Sequence, residues 1–220
     1  MTNEYPVSKQ NKVRQLREKA SYDRGTVHDI LDSGLVAHVA FVENGQPVVV
    51  PMLYGRDGET IFLHGARKAR VIRLLEQTGT ACLNVTHVDG LVFARSAFNS
   101  SMRYRSVTVF GTARLIDDPN EKLHALRIIS ECTMPGRWDE LRESHEKEVK
   151  MTGVIELAIE SASAKVATGM PDDEDEDYAI PVWAGVLPLE SRFTTLESDD
   201  RLIEGVEASA AVRAMQGKKL

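Results

Sequence analysis

Cysteine, aromatic side chains and long apolar runs are all scarce in this chain, and each shortage removes a class of protein. The only two cysteines, Cys82 and Cys132, are far apart and form no CxxC pair. A disulfide-stapled secreted module and a cysteine-rich zinc site are therefore excluded, and the expected home is a reducing compartment, the cytoplasm. No stretch approaches the roughly 18 apolar residues of a membrane span, and the opening residues lack the basic-then-apolar layout of a secretory signal, so no membrane partner is expected. The basic excess that binds nucleic acid is missing as well. The formal net charge is −6, and a polyanion partner needs a cationic face that releases counterions.

Several catalytic signatures are also absent. The sequence has no GxGxxG and no GxxxxGK[ST], which excludes the familiar dinucleotide and P-loop cradles. It has no G-x-S-x-G elbow, since Ser96 sits in Ala94-Arg95-Ser96-Ala97. The histidines, at 28, 38, 64, 87, 124 and 145, show no HExxH spacing. His87-Val88-Asp89 reads as a turn before it reads as a metal pair.

What remains is a chain of short β-rich runs. Residues 1–25 are polar and charged and read as an N-terminal arm. Thr26 and Asp29 resemble a capping box opening a short helix that ends near Gly34. Leu35 to Val42, Pro47 to Tyr54 and Thr60 to His64 are separated by Asn44-Gly45 and Asp57-Gly58, the strongest short hairpin signals. A helix is predicted from Arg67 to Thr78, followed by a strand from Thr80, a third turn at Asp89-Gly90, and strands over Leu91 to Ser96 and Tyr104 to Ile116. Asp118-Pro119 opens another helix. Trp138, Leu141, His145 and Val149 continue at helical spacing, and Val154 to Lys165 alternates as one final strand. Residues 26–189 thus read as one α+β domain built on a β-barrel or sandwich, and residues 190–220 as a C-terminal tail.

Two constellations could carry chemistry. In the first, His64-Gly65-Ala66-Arg67-Lys68-Ala69-Arg70, followed by Arg73, crowds cations at a predicted helix start. The macrodipole is already positive there, so the cluster is unfavourable unless an anion such as a phosphate binds; a solvated basic face is the competing reading. In the second, Arg95-Ser96 and Arg105-Ser106 lie at neighbouring strand ends and offer donors to a second part of one ligand, or simply brace a loop. Trp183, in Pro181-Val182-Trp183-Ala184-Gly185-Val186, lies in a segment too apolar for a tail.

These residues, in this order, resemble the pyridoxamine 5′-phosphate oxidase-related FMN-binding split-barrel proteins, in the branch similar to 5-nitroimidazole-resistance proteins. The carriers are Val49-Val50-Pro51-Met52-Leu53-Tyr54, the Leu63-His64-Gly65-Ala66 junction with Arg70, Met102-x-Tyr104-x-Ser106-Val107-x-x-Phe110-Gly111, Ser163-Ala164-Lys165, and the segment around Trp183. The resemblance implies a split β-barrel, six-stranded, antiparallel and Greek-key-like, with flanking helices. It also implies a homodimer with FMN at the interface, the phosphate near Arg67, Lys68 and Arg70, and the flavin ring along Val50, Pro51, Met52, Leu53 and Tyr54. His64, Gly65, Arg95, Ser96, Arg105, Ser106 and Trp183 complete the implied cofactor set. Where the oxidase carries Ser-Arg-Lys, this chain has Ala69-Arg70-Val71. The implied activity is electron transfer from a reduced nicotinamide nucleotide to a small-molecule acceptor. The alternative is a non-catalytic flavin, deazaflavin or heme binding or sensing protein of the same fold.

Overall fold

Asn44-Gly45 and Asp57-Gly58 reverse the chain as their tolerance of positive φ predicts, with φ of 51° at Asn44, 78° at Gly45 and 54° at Gly58. In this computed structural model, which describes residues 3–220, the first turn joins β2 (Val36–Glu43) to β3 (Gln46–Asp57) and the second joins β3 to β4 (Thr60–Ala66). The other strands are β1 (Ala20–Ser21), β5 (Thr80–Phe93), β6 (Ser101–Ile116), β7 (Thr152–Ala158), β8 (Ser161–Ala167) and β9 (Gly185–Pro188). The helices are α1 (Arg24–Asp32), α2 (Arg70–Thr78), α3 (Pro119–Thr133), α4 (Glu146–Met151) and α5 (Ala210–Met215). The strands follow the order β1-β8-β6-β7-β4-β3-β2-β5-β9, and β6 also pairs with β5, which makes a ring of six. This is the α+β split-barrel class expected from the sequence.

The chain divides into two compact units, each drawn from three segments. The arm unit comprises the described part of Met1–Gly34, with Leu83–Phe110 and Glu160–Glu190; the hairpin unit comprises Leu35–Cys82, Gly111–Ile159 and Ser191–Leu220.

In the hairpin unit, alternation along the strands sends Ala37, Val39, Met52, Tyr54, Ile61, Leu63, Ile155 and Leu157 into the core. A second apolar layer lies on the opposite face, where Phe62, Ile116 and Val154 pack against Ala125 and Ile129 of α3. The contact is close. A Cβ added at Gly55 would lie 2.7 Å from the Ile129 Cα, so only glycine lets α3 settle on β3. The Asp118 carboxylate caps α3 by accepting the Asn120 and Glu121 N–H groups, both at 2.9 Å.

In the arm unit, β6 pairs with β8 from Tyr104↔Ala167 to Phe110↔Ser161, and β1 adds Ala20↔Lys165. Of the arm expected at 1–25, residues 1–2 lie outside the described residues; the rest docks on this sheet. Tyr5 and Asn11 are both buried, and the Asn11 Nδ2 donates to the Ala162 carbonyl at 3.0 Å.

Local readings of the sequence shift in five places. The cap of α1 is Asp23, whose carboxylate accepts the Thr26 N–H at 2.8 Å, so Thr26 is inside the helix rather than before it. Helix α2 begins at Arg70, because β4 runs on to Ala66. Asp89-Gly90 makes no turn, and β5 runs straight through it. Trp138 to Val149 is broken into a short 3₁₀ turn at Trp138–Glu140 and α4. Val154 to Lys165 is two strands, with the break at Ile159-Glu160, where the backbone changes partner from Glu59 to Phe110.

Candidate functional site

The expected cofactor residues fall into both units, and each half is built by itself. In the hairpin unit, the pleat of β3 splits the implied ring-contacting stretch. Met52 and Tyr54 point into the core, while Pro51 and Leu53 point outward with Val49, and Val50 is half-buried. Val49 is 58% exposed and Leu53 is 44% exposed. Their partners on β2, in the register Val36↔Leu53, His38↔Pro51 and Ala40↔Val49, share that face, and Val36 and Val42 are exposed on it as well. Tyr54 pairs with Leu63, so His64 comes level with Leu53 on the same outward face. The result is an open, largely apolar shelf that carries the exposed His38 within it and His64 at its edge.

His64 is half-buried, and its Nδ1 is buried with no hydrogen-bond partner. Burial pushes the imidazole below its ordinary pKa, so it is neutral at pH 7. The histidines whose ring nitrogens bond elsewhere are already committed: His28 Nε2 meets the Tyr5 hydroxyl, and His87 Nε2 meets the Ile30 carbonyl and Ser33 Oγ. An unpartnered neutral imidazole beside an apolar shelf suits a planar cofactor or a metal-bearing one.

Gly65 continues β4 opposite Gly153, and a Cβ at Gly153 would stand 2.6 Å from Ile72 of α2. This close approach brings the start of α2 alongside β4. The first turn of α2 contains no acid, and its N-cap Ala69 makes no side-chain cap bond, so its leading N–H groups are available to an anion. The cations around it are not all available. Arg67 forms a two-pronged bond to Glu76 at 3.0 and 3.1 Å, and Arg70 reaches Glu43 at 3.2 Å. Lys68 and Arg73 have no ion-pair partner among the described residues. The phosphate reading of the sequence placed weight on Arg70, with Arg67 and Lys68; of these Lys68 alone is unpaired among the described residues, and Arg73 joins it.

In the arm unit, Arg95 is held by the acidic run. Its N–H and Nη1 donate to the Asp173 carboxylate at 2.9 and 3.1 Å, and its guanidinium lies 4.6 Å from the centre of the Tyr178 ring. The Arg95 Nε is buried and unpartnered. Burial of the Asp173 side chain opposes ionisation, but the Arg95 amide, the Arg95 guanidinium and the Ser96 amide more than offset it, and the carboxyl sits below its ordinary pKa. Ser96 turns inward on its own loop: its Oγ accepts the Asn99 N–H at 3.1 Å.

Arg105 is engaged elsewhere, donating through Nε and Nη2 to Asp89, both at 2.9 Å, and through Nη1 to Ser33 Oγ at 3.3 Å. Arg95 and Arg105 therefore share no partner, although both were expected at one ligand. Ser106 pairs in register with Lys165 on β8. Trp183 lies over Gly185, where a Cβ would come within 2.8 Å of the indole, and its ring meets Phe93 at 5.9 Å, yet it remains 70% exposed.

Sequence reasoning missed the carboxylates that hold these arginines: Glu43, Glu76, Asp89 and Asp173. Glu76 lies nine residues after its partner Arg67 in the same predicted helix and carried a local signal; the others are distant in sequence. Among the described residues no cluster of three or more His, Cys, Asp or Glu is placed to hold a metal ion, and no helix is long and apolar enough to cross a membrane.

Comparison with known proteins adds the family. The structure of flavocytochrome Anf3 from Azotobacter vinelandii matches with a TM-score of 0.90 at 39% identity, covering 96% of this chain and 98% of that one. The FAD and heme binding protein from Mycobacterium smegmatis matches with a TM-score of 0.86 at 39% identity, covering 90% and 98%. A candidate 5-nitroimidazole antibiotic resistance protein from Bacteroides thetaiotaomicron shares the fold, with a TM-score of 0.58 at 24% identity over 67% of this chain and 86% of that one. No curated protein matches the sequence. The family model for pyridoxamine 5′-phosphate oxidase matches residues 23–166, more than half of the chain. A six-strand antiparallel ring, a glycine-gated helix start beside His64 and this match agree: the chain belongs to the pyridoxamine 5′-phosphate oxidase family.

Proposed function

We propose that this protein binds a flavin together with a heme and works as a small redox protein, passing electrons from a reduced nicotinamide nucleotide to a small acceptor. The observation that carries the reading is His64: a neutral imidazole with a buried, unbonded nitrogen at the edge of an open apolar shelf. Two relatives of nearly the same length, one described as a flavocytochrome and the other as binding FAD and heme, support it.

In this reading the outward Val49, Pro51 and Leu53 keep water from one side of a planar ring. His64 offers a lone pair without first losing a proton. Lys68 and Arg73, with the free N–H groups of α2, hold a flavin phosphate. A bound flavin can take up a hydride and release electrons singly, and a heme iron takes them one at a time. The same shelf is the proposed homodimer contact, since Val36, Val42, Val49 and Leu53 are exposed apolar side chains on one face of β2 and β3.

The FMN reading without heme remains the second one, because FMN ends in the monophosphate that the α2 start would suit. The absorption spectrum of the purified protein separates them: flavin bands with a Soret band support the first, and flavin bands alone support the second. Chromatography of the released flavin then distinguishes FAD from FMN. His64→Ala is expected to abolish the Soret band while the flavin stays bound. A colourless protein that takes up neither cofactor when both are added would refute both readings.

A further inference from the structure

The arm carries a site of its own. Val7, Ser8, Lys9, Lys12, Arg14 and Arg17 line a cavity of about 550 Å³ that contains four cations and no carboxylate. The chain as a whole is acidic, with a net charge of −6, yet Lys9 to Lys19 holds five cations against the single acid Glu18. None of the four lining cations forms an ion pair among the described residues; Arg17 donates only to the Arg14 carbonyl, at 3.4 Å. Like charges gathered in one cavity repel one another, and no carboxylate among the described residues pairs with them.

The wall beneath them is fixed. Asn11 is 3% exposed; its Nδ2 donates to the Pro6 and Ala162 carbonyls, both at 3.0 Å, and its Oδ1 accepts the Ser8 N–H at 2.7 Å. The Val13 N–H donates to the Tyr22 hydroxyl at 2.9 Å. Tyr5, 1% exposed, stacks under Arg24 at 4.2 Å. Leu16, just before Arg17, holds a φ of 52° that non-glycine residues rarely adopt. The four cations thus stand on a preformed loop tied to β8.

We propose that this cavity binds an organic diphosphate, the linking group of a dinucleotide. The volume is several times that of a lone phosphate and falls in the range of nucleotide-sized sites, and four cations suit a group carrying two or three negative charges. This rests on the proposed function: with the flavin phosphate held at α2, the source of this diphosphate is the reduced nicotinamide dinucleotide that donates electrons.

The test is calorimetric titration of the full-length protein with ADP at low salt, with adenosine as control. Saturable ADP binding is expected, with at least tenfold loss in Lys12→Gln/Arg14→Gln and, separately, in Lys9→Gln/Arg17→Gln. All four side chains are exposed, so the variants should keep the wild-type melting temperature. Raised salt should weaken binding steeply. Absence of saturable ADP binding, equal affinity for adenosine, or wild-type affinity in both double variants would overturn the proposal. Two further titrations test the source: ADP should still bind once FAD is loaded and should be displaced by NADPH, whereas ADP excluded by loaded FAD would overturn the assignment to the electron donor.

Discussion

The molecule gathers positive charge in two places, and they are built in opposite ways. At the start of α2, Arg67 and Arg70 are each met by a carboxylate, Glu76 and Glu43, and Lys68 and Arg73 are unpaired among the described residues. In the arm, none of the four cations lining the cavity is paired among the described residues. The helix start looks like an anion site in the sequence because a dipole and a run of cations coincide there. The arm looks like a solvated tether. Spatial neighbours decide how much of each charge is left for a ligand, and those neighbours reverse the ranking that local sequence suggests.

This contrast can be broken at several points. The largest effect is expected at Asp173, the fully buried partner of Arg95 and thus the extreme case of pairing. Asp173→Asn should lower the melting temperature more than any substitution at the exposed pairs, because it leaves a half-buried guanidinium without its counter-charge. The wild-type carboxyl titrates below its ordinary value, so its contribution is complete at neutral pH and is lost as pH falls through the lowered pKa. Thermal melts across acid pH should therefore show a steeper decline in the wild type than in Asp173→Asn.

Next in size, Lys68→Ala and Arg73→Ala should each weaken flavin binding about tenfold, on the scale of a charge-assisted bond, as read by flavin fluorescence titration. Arg67→Ala and Arg70→Ala should cost about threefold or less, since those guanidinium groups already have partners. If the paired arginines prove more costly than the unpaired cations, the flavin phosphate recruits them away from Glu76 and Glu43, and the contrast fails. The smallest effect is expected from Glu43→Gln. An exposed ion pair is worth less than about 1 kcal/mol, so stability should barely move while flavin affinity rises slightly with the release of Arg70.

Much of the fold was legible because it is written in local chemistry. Asn44-Gly45, Asp57-Gly58 and the Asp118-Pro119 cap each act within four residues, and each does in the structure what its chemistry dictates. Asp89-Gly90 has the same dipeptide chemistry and no turn. A Cβ at Gly90 would lie 2.8 Å from the Leu187 carbonyl, so this glycine serves the close approach of β9, which lies far along the chain. The candidate site divides along the same line. His64 and the basic helix start could be named from sequence. The Arg105 bond to Asp89, the Arg95 bond to Asp173 and the outward turn of Pro51 and Leu53 depend on strand register and on distant acids. The docking of the arm through Tyr5 and Asn11 was hidden for the same reason: its partner carbonyl belongs to Ala162.

That last bond has a consequence for how the protein is made. The Asn11 anchor is synthesised early, and its acceptor at Ala162 emerges only after most of the chain. Both units draw on three separated stretches, the arm unit ending at Glu190 and the hairpin unit at Leu220. Neither can close while the nascent chain is still short, and long-range strand pairing is slow in any case. A ribosome that stalls before Ala162 would release a product whose cationic arm has no sheet to lie on, which would make the arm the part of an incomplete chain most open to proteases and chaperones.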